Sequence, residues 1–79
     1  MTLRFSRHAR DRMRQRGISE AEVVEALTDV HLETPGRSAD RVNRWGRTRA
    51  GRHLRITQYR GVDSFIITVV APDEEGRAR

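Results

Sequence analysis

Residues 5–18 read Phe-Ser-Arg-His-Ala-Arg-Asp-Arg-Met-Arg-Gln-Arg-Gly-Ile, and this stretch decides how the rest of the chain can be arranged. Ser6 is suited to cap a helix, because its hydroxyl can accept from a free amide of the first turn. Gly17 is suited to end it, as the residue that takes a left-handed C-terminal conformation most readily. A helix is therefore expected from Arg7 to Arg16, with Ala9 and Met13 as its buried stripe. At about 100° per residue, His8, Arg12 and Gln15 fall one turn apart beside that stripe, with Asp11 flanking, whereas Arg7, Arg10 and Arg14 form a separate solvated row. The helix thus offers one polar edge to a cleft and another to water.

Working outward, Ile18, Ser19 and Glu22 spell a capping box, and Ile18 is placed to staple onto Val23. Val23, Val24, Leu27 and Val30 recur at helical spacing, with Glu20, Glu22, Glu25 and Asp29 on the outer face. His31 to Thr34 suits a short strand, and Pro35 to Asp40 is a loop rich in turn formers. Beyond it the period changes to two. Strands are expected over Arg41 to Thr48, Arg52 to Tyr59 and Ser64 to Ala71, joined by turns at Ala50-Gly51 and Arg60 to Asp63. In the middle strand Leu54 and Ile56 point one way, and His53, Arg55, Thr57 and Tyr59 the other. A four-residue turn after Tyr59 would pair Arg55 with Thr68, His53 with Val70, and Ile56 with Phe65 or Ile67. The last strand is apolar on both faces, as in a central strand. The pattern predicts an α+β domain over residues 1–71, two N-terminal helices on one face of a twisted three- or four-stranded antiparallel sheet. Residues 72–79 turn acidic and end in Gly-Arg-Ala-Arg, the composition of a disordered tail.

A chain of 79 residues holds one modest core and no deep pocket for a large cofactor. It has no cysteine, which removes disulfides and thiolate metal sites. No apolar run reaches the roughly 18 residues of a membrane span, and no secretion signal opens the chain, so a cytoplasmic protein is expected. The formal charge is +5, and every basic residue is arginine. Its distribution says more than its total. Residues 1–18 carry six arginines against one acid, residues 19–34 carry five acids and no arginine, and residues 35–60 carry eight arginines against one acid. Two basic segments around an acidic helix imply a one-sided positive surface, the footprint of a protein that meets a polyanion such as RNA.

Cleaving RNA without a metal takes few groups: a base for the 2′-hydroxyl, cations for the charge on the phosphorane, and an acid for the leaving 5′-oxygen. Histidine suits proton transfer near neutrality, and the planar fork of arginine suits the phosphate. His8, Arg12, His53 and Arg55 supply these types. Each also fits a plainer role, His8 and Arg12 as helix surface, His53 and Arg55 as the solvated face of a half-buried sheet. Tyr59 and Trp45 suit base stacking or core cover equally. His8, His31 and His53 are far apart in sequence, without metal-ligand spacing. No cofactor or metal site is expected, and no Gly-rich phosphate loop or nucleophile elbow is present.

The run Phe5-Ser6-x-His8-Ala9-x-x-Arg12-Met13-x-x-Arg16-Gly17-Ile18-Ser19, with Leu54-Arg55-Ile56 and Ile67-Thr68-Val69 later on, resembles the small prokaryotic domain known as domain of unknown function 4258. That family is generally grouped with the barnase, colicin and RelE-like (BECR) ribonuclease toxins, which set N-terminal helices against a four-stranded antiparallel sheet. The resemblance implies a metal-independent endoribonuclease of the toxin type, paired with an antitoxin protein. By position, His8, Arg12 and Arg16 match the helical motif, and Thr68 matches the last-strand motif. Arg55 falls where relatives often have histidine or arginine. The tyrosine frequent two residues after the strand threonine is Val70 here, which removes a phosphate or base contact. The expected catalytic set is His8, Arg12, Arg55 and Thr68, with Arg16, Arg52, His53 and Tyr59 as expected RNA contacts, and Arg16 equally suited to anchor the helix to the sheet. The same charge pattern also fits a nucleic-acid-binding module without catalysis, or a subunit whose arginine face docks an acidic protein.

Overall fold

The structure, a computed structural model, describes residues 3–75. A two-residue strand β1 (Arg4–Phe5) leads into helix α1 (Arg7–Arg16) and helix α2 (Glu20–Leu27). Four longer strands follow, β2 (Val30–Pro35), β3 (Arg41–Arg47), β4 (His53–Tyr59) and β5 (Val62–Val70), and then a single helical turn, α3 (Pro72–Glu75). The sheet order is β1-β5-β4-β3-β2. β2 to β5 form an antiparallel meander, and β1 lies parallel to β5. The sheet is thus five-stranded and mixed, whereas the sequence pattern predicts three or four antiparallel strands. The reason is that β1 is too short to show a period, and its partner lies some sixty residues away.

The caps of α1 and α2 form as the residues dictate. The Ala9 amide donates to the Ser6 hydroxyl at 3.0 Å, and Gly17 closes α1 at φ 64°, in the left-handed region. Ser19 and Glu22 form the reciprocal capping box, with the Glu22 amide donating to the Ser19 hydroxyl at 3.1 Å and the Ser19 amide donating to the Glu22 carboxylate at 3.0 Å. The apolar stripe of α2 differs from the expected one. Val23 and Ala26 are buried, Val24 is 47 % exposed, and Val30 belongs to β2. The helix stops early because the Thr28 hydroxyl donates back to the carbonyls of Val24 and Glu25, at 3.0 and 2.8 Å.

Both helices pack on one face of the sheet, α1 over β5 and α2 over β3 and β4. Phe5, Ala9, Met13, Ile18, Val23 and Ala26 meet Leu54, Ile56, Ile66, Val69 and Ala71 in one core. Gly46 of β3 is required by this packing. A Cβ there would sit 2.0 Å from the Ala26 carbonyl oxygen, so only glycine lets α2 approach the strand. Leu54 and Ile56 do point to the core, and buried Gln58 joins them, its amide donating to the Asp63 carbonyl.

The β4–β5 register also departs from the four-residue-turn expectation. Tyr59 pairs with Val62 across a tight turn at Arg60-Gly61, and slips follow at Gln58 and Thr57. Thr57 therefore opposes Thr68, Arg55 opposes Val70 and Ile56 opposes Val69. Ile67 is the extra residue of this bulge. The chain beyond Ala71, expected to be a disordered tail, forms the helical turn α3 at Pro72–Glu75; residues 76–79 lie outside the described residues.

Candidate functional site

The bulge in β5 is where helix and sheet are joined. The Ser6 hydroxyl donates to the carbonyl of Ile67 at 2.6 Å, and the Ser6 amide donates to the carbonyl of Ile66 at 2.9 Å. The residue that caps α1 thus also pins the start of the helix to the irregular part of β5. This fixes the His8 and Arg12 edge of α1 beside the sheet face turned away from the core.

That edge borders a groove of about 540 Å³. α1 contributes His8 and Arg12, and the β2–β3 connection contributes Pro35, Gly36 and Arg37. The floor comes from Arg41 and Asn43 of β3, Arg55 and Thr57 of β4, and Ile67, Thr68 and Val70 of β5. Four arginines and one histidine line it, and among the described residues no carboxylate does.

Two of these arginines, Arg41 and Arg55, are held by rings and not by acids. Outside the groove, arginines pair with acids: Arg10 with Glu20, Arg14 with Asp11, Arg44 with Glu33 and Asp63, Arg47 with Asp29. Inside it, the Arg55 guanidinium lies over the Trp45 ring and the Arg41 guanidinium over the Tyr59 ring, each 5.6 Å from the centroid. Trp45 is itself fixed by its indole N–H, which donates to the Thr34 hydroxyl at 2.9 Å, and Tyr59 stacks on Phe65. A ring engages the flat face of a guanidinium, whereas a phosphate takes its in-plane N–H donors. Arg41 and Arg55 are therefore oriented without spending those donors, and the buried Nε of each has no hydrogen-bond partner among the described residues. Between them, the Thr57 hydroxyl donates to the Asn43 side-chain carbonyl at 2.7 Å, and the Asn43 amide donates to the Pro35 carbonyl at 3.3 Å, which braces the floor against the loop.

Of the residues singled out from sequence, His8, Arg12, Arg55 and Thr68 come together in this groove. The other four do not line it. Arg52 lies elsewhere. It sits on the helix side at the start of β4, and its guanidinium donates to both Glu74 oxygens at 2.7 Å, to Glu22 at 3.3 Å, and to the carbonyls of Arg16 and Gly17 at 2.7 and 3.0 Å. Its hydrogen bonds to Glu74, then to Glu22, raise its pKa. The Glu22 carboxyl is held below its ordinary range, first by the Ser19 amide and then by Arg52. Arg52 is a structural clamp across α1, α2, β4 and α3. Arg16 is half-buried at the same junction. Tyr59 supports Arg41 from behind. His53 lies further along the sheet face, its ring edge-on to His31 with centroids 6.1 Å apart, so these two histidines do converge despite their separation in sequence. Arg37, Arg41, Asn43 and Thr57 are the lining residues that the sequence reading left out of the site. Writing out the β3–β4 register would have found Arg41 and Asn43, since they directly oppose Tyr59 and Thr57.

Among the described residues no three His, Cys, Asp or Glu side chains cluster as metal ligands, and no helix is long and apolar enough to cross a membrane. Fold and site together define a small α+β domain with a cationic groove on the open face of its sheet. More particularly, the chain belongs to the family described as domain of unknown function 4258 (DUF4258), whose model matches residues 5–78. No curated protein and no solved structure matches it.

Proposed function

We propose that this groove binds the phosphate backbone of RNA and that the protein is a metal-independent endoribonuclease of the toxin type, in keeping with the grouping of its family with the barnase, colicin and RelE-like toxins. The observation that carries the reading is the pair of groove arginines, Arg41 and Arg55, held by aromatic rings in a lining of four arginines and His8. A wall rich in arginine suits a polyanion, and in-plane N–H donors suit a phosphorane, whose added negative charge they meet without rearrangement.

In the reaction His8 takes the proton of the 2′-hydroxyl as its oxygen attacks phosphorus. Arg12 and Arg55 hold the non-bridging oxygens, and Thr68 orients the phosphate. The bond from phosphorus to the 5′-oxygen breaks, that oxygen takes a proton from water, and a 2′,3′-cyclic phosphate is left. A second reading, binding without turnover, is favoured by one observation: among the described residues His8 is the single imidazole in the lining.

The test is incubation of labelled mixed-sequence RNA with the protein in EDTA, beside His8→Ala and Arg55→Ala variants shown to be folded. Cyclic-phosphate products from the wild type alone support cleavage. Salt-dependent binding with no products supports the second reading, and neither binding nor cutting overturns both.

A further inference from the structure

We infer that the sheet face next to the groove is a base-stacking platform built on His31 and His53, so that the polyanion taken is a single strand and not a duplex. The inference rests on the RNA reading of the groove. Arg55 lines the groove, and His53, two residues back on the same strand, shares its face about 7 Å away. His53 is exposed and meets the exposed ring of His31 at 70°, centroids 6.1 Å apart. His31 reaches it because β2 slips by one residue between Val30 and Leu32. The slip also sets Leu32, 49 % exposed, opposite Trp45, which opposes Arg55.

The surface therefore passes without a break from guanidinium groups to exposed imidazoles and an aliphatic side chain. Charge complementarity selects a polyanion at one end, and flat rings select unstacked bases at the other. The bases of a duplex have their faces covered by one another, so only a single strand can use both ends. The T-shaped pair offers both an imidazole face and an imidazole edge, which suits stacking without sequence choice.

The test compares a short oligothymidylate, which lacks the 2′-hydroxyl and is not cut, with a blunt duplex and with inorganic polyphosphate. The proteins are the wild type, His31→Ala/His53→Ala and His31→Phe/His53→Phe, all changed at exposed positions. The wild type is expected to prefer the single strand. The alanine pair should lose about tenfold or more on it while keeping its affinity for polyphosphate, and the phenylalanine pair should restore binding. Unchanged single-strand affinity in the alanine pair, or equal loss on polyphosphate, overturns the platform and leaves the groove reading standing. Failure of the wild type to bind any of the three probes overturns both.

Discussion

Replacing Arg52 with methionine keeps the aliphatic stem and removes the cation that joins α1, α2, β4 and α3. The guanidinium is a structural part and not a ligand contact, so the change is expected to cost stability and leave polyanion binding alone. Six hydrogen bonds to four partners are lost. Bonds to charged groups are each worth about 1.5–3 kcal/mol when dry, but the side chains of Glu74 and Glu22 are 41 % and 26 % exposed and rehydrate once released. Exposed pairs contribute about 0.2–1 kcal/mol, and the carbonyls of Arg16 and Gly17 lose about 0.5–1.5 kcal/mol each. The ranges sum to about 1.4–5 kcal/mol, and a central value of about 3 kcal/mol lowers the Tm of a domain of this size by roughly 12–24 °C. Wild-type stability on the order of 4–12 kcal/mol leaves the variant folded at 25 °C. Thermal unfolding followed by circular dichroism reads the shift, and anisotropy with a labelled oligonucleotide reads binding. A fall in Tm below about 3 °C would refute the clamp, and a loss of affinity matching that of Arg55→Ala would put Arg52 back in the interface.

Acid should act on the same junction. The Glu22 carboxyl is depressed below its ordinary value of 4.5, so its contribution is present above that pH and is lost as pH falls through the lower folded value. The wild type should weaken below about pH 4.5, and Arg52→Met should flatten that slope only partly, because the Ser19 amide is the larger cause; equal slopes in denaturant titrations would contradict this. Gly46→Ala places a Cβ against the Ala26 carbonyl and should cost about 3 kcal/mol or more, read as loss of cooperative unfolding; a near-native Tm would mean that α2 sits further from β3. Ser6→Ala removes both the cap and the bond to Ile67, and about 1–2 kcal/mol is expected, together with slower RNA cleavage as the His8 edge loosens; a Tm change without any change in rate would separate the two roles.

Local signals were legible in the sequence and distant ones were not. Ser6, Gly17, Ser19 and Glu22 act on amides and carbonyls within a turn of themselves, so both ends of α1 and the start of α2 could be read from the residues alone. The parallel pairing of β1 with β5 spans some sixty residues, and the bulge at Ile67 is a register slip inside the β4–β5 hairpin; no period in the sequence encodes either. Val24 was misplaced because α2 is only two turns long, too short for the 3.6-residue pattern to discriminate one face from its neighbour. His8, Arg12 and Arg55 could be named in advance because helix and strand periods place them on polar edges, and Thr68 because it matches the last-strand motif of the family. Arg52 could not be told from the groove arginines because arginines look alike in sequence. Whether a guanidinium meets a carboxylate or an indole ring is decided by tertiary packing.

The central claim is that ring-held arginines in the groove meet successive phosphates, and the salt dependence of binding tests it most directly. Affinity for a single-stranded oligonucleotide would be measured from low to moderate salt for the wild type, Arg41→Ala and Arg55→Ala. Four groove arginines predict a slope of log K against log salt near about −3, and loss of either residue should make it shallower by about 0.7. Slopes identical to wild type in both variants would contradict the account.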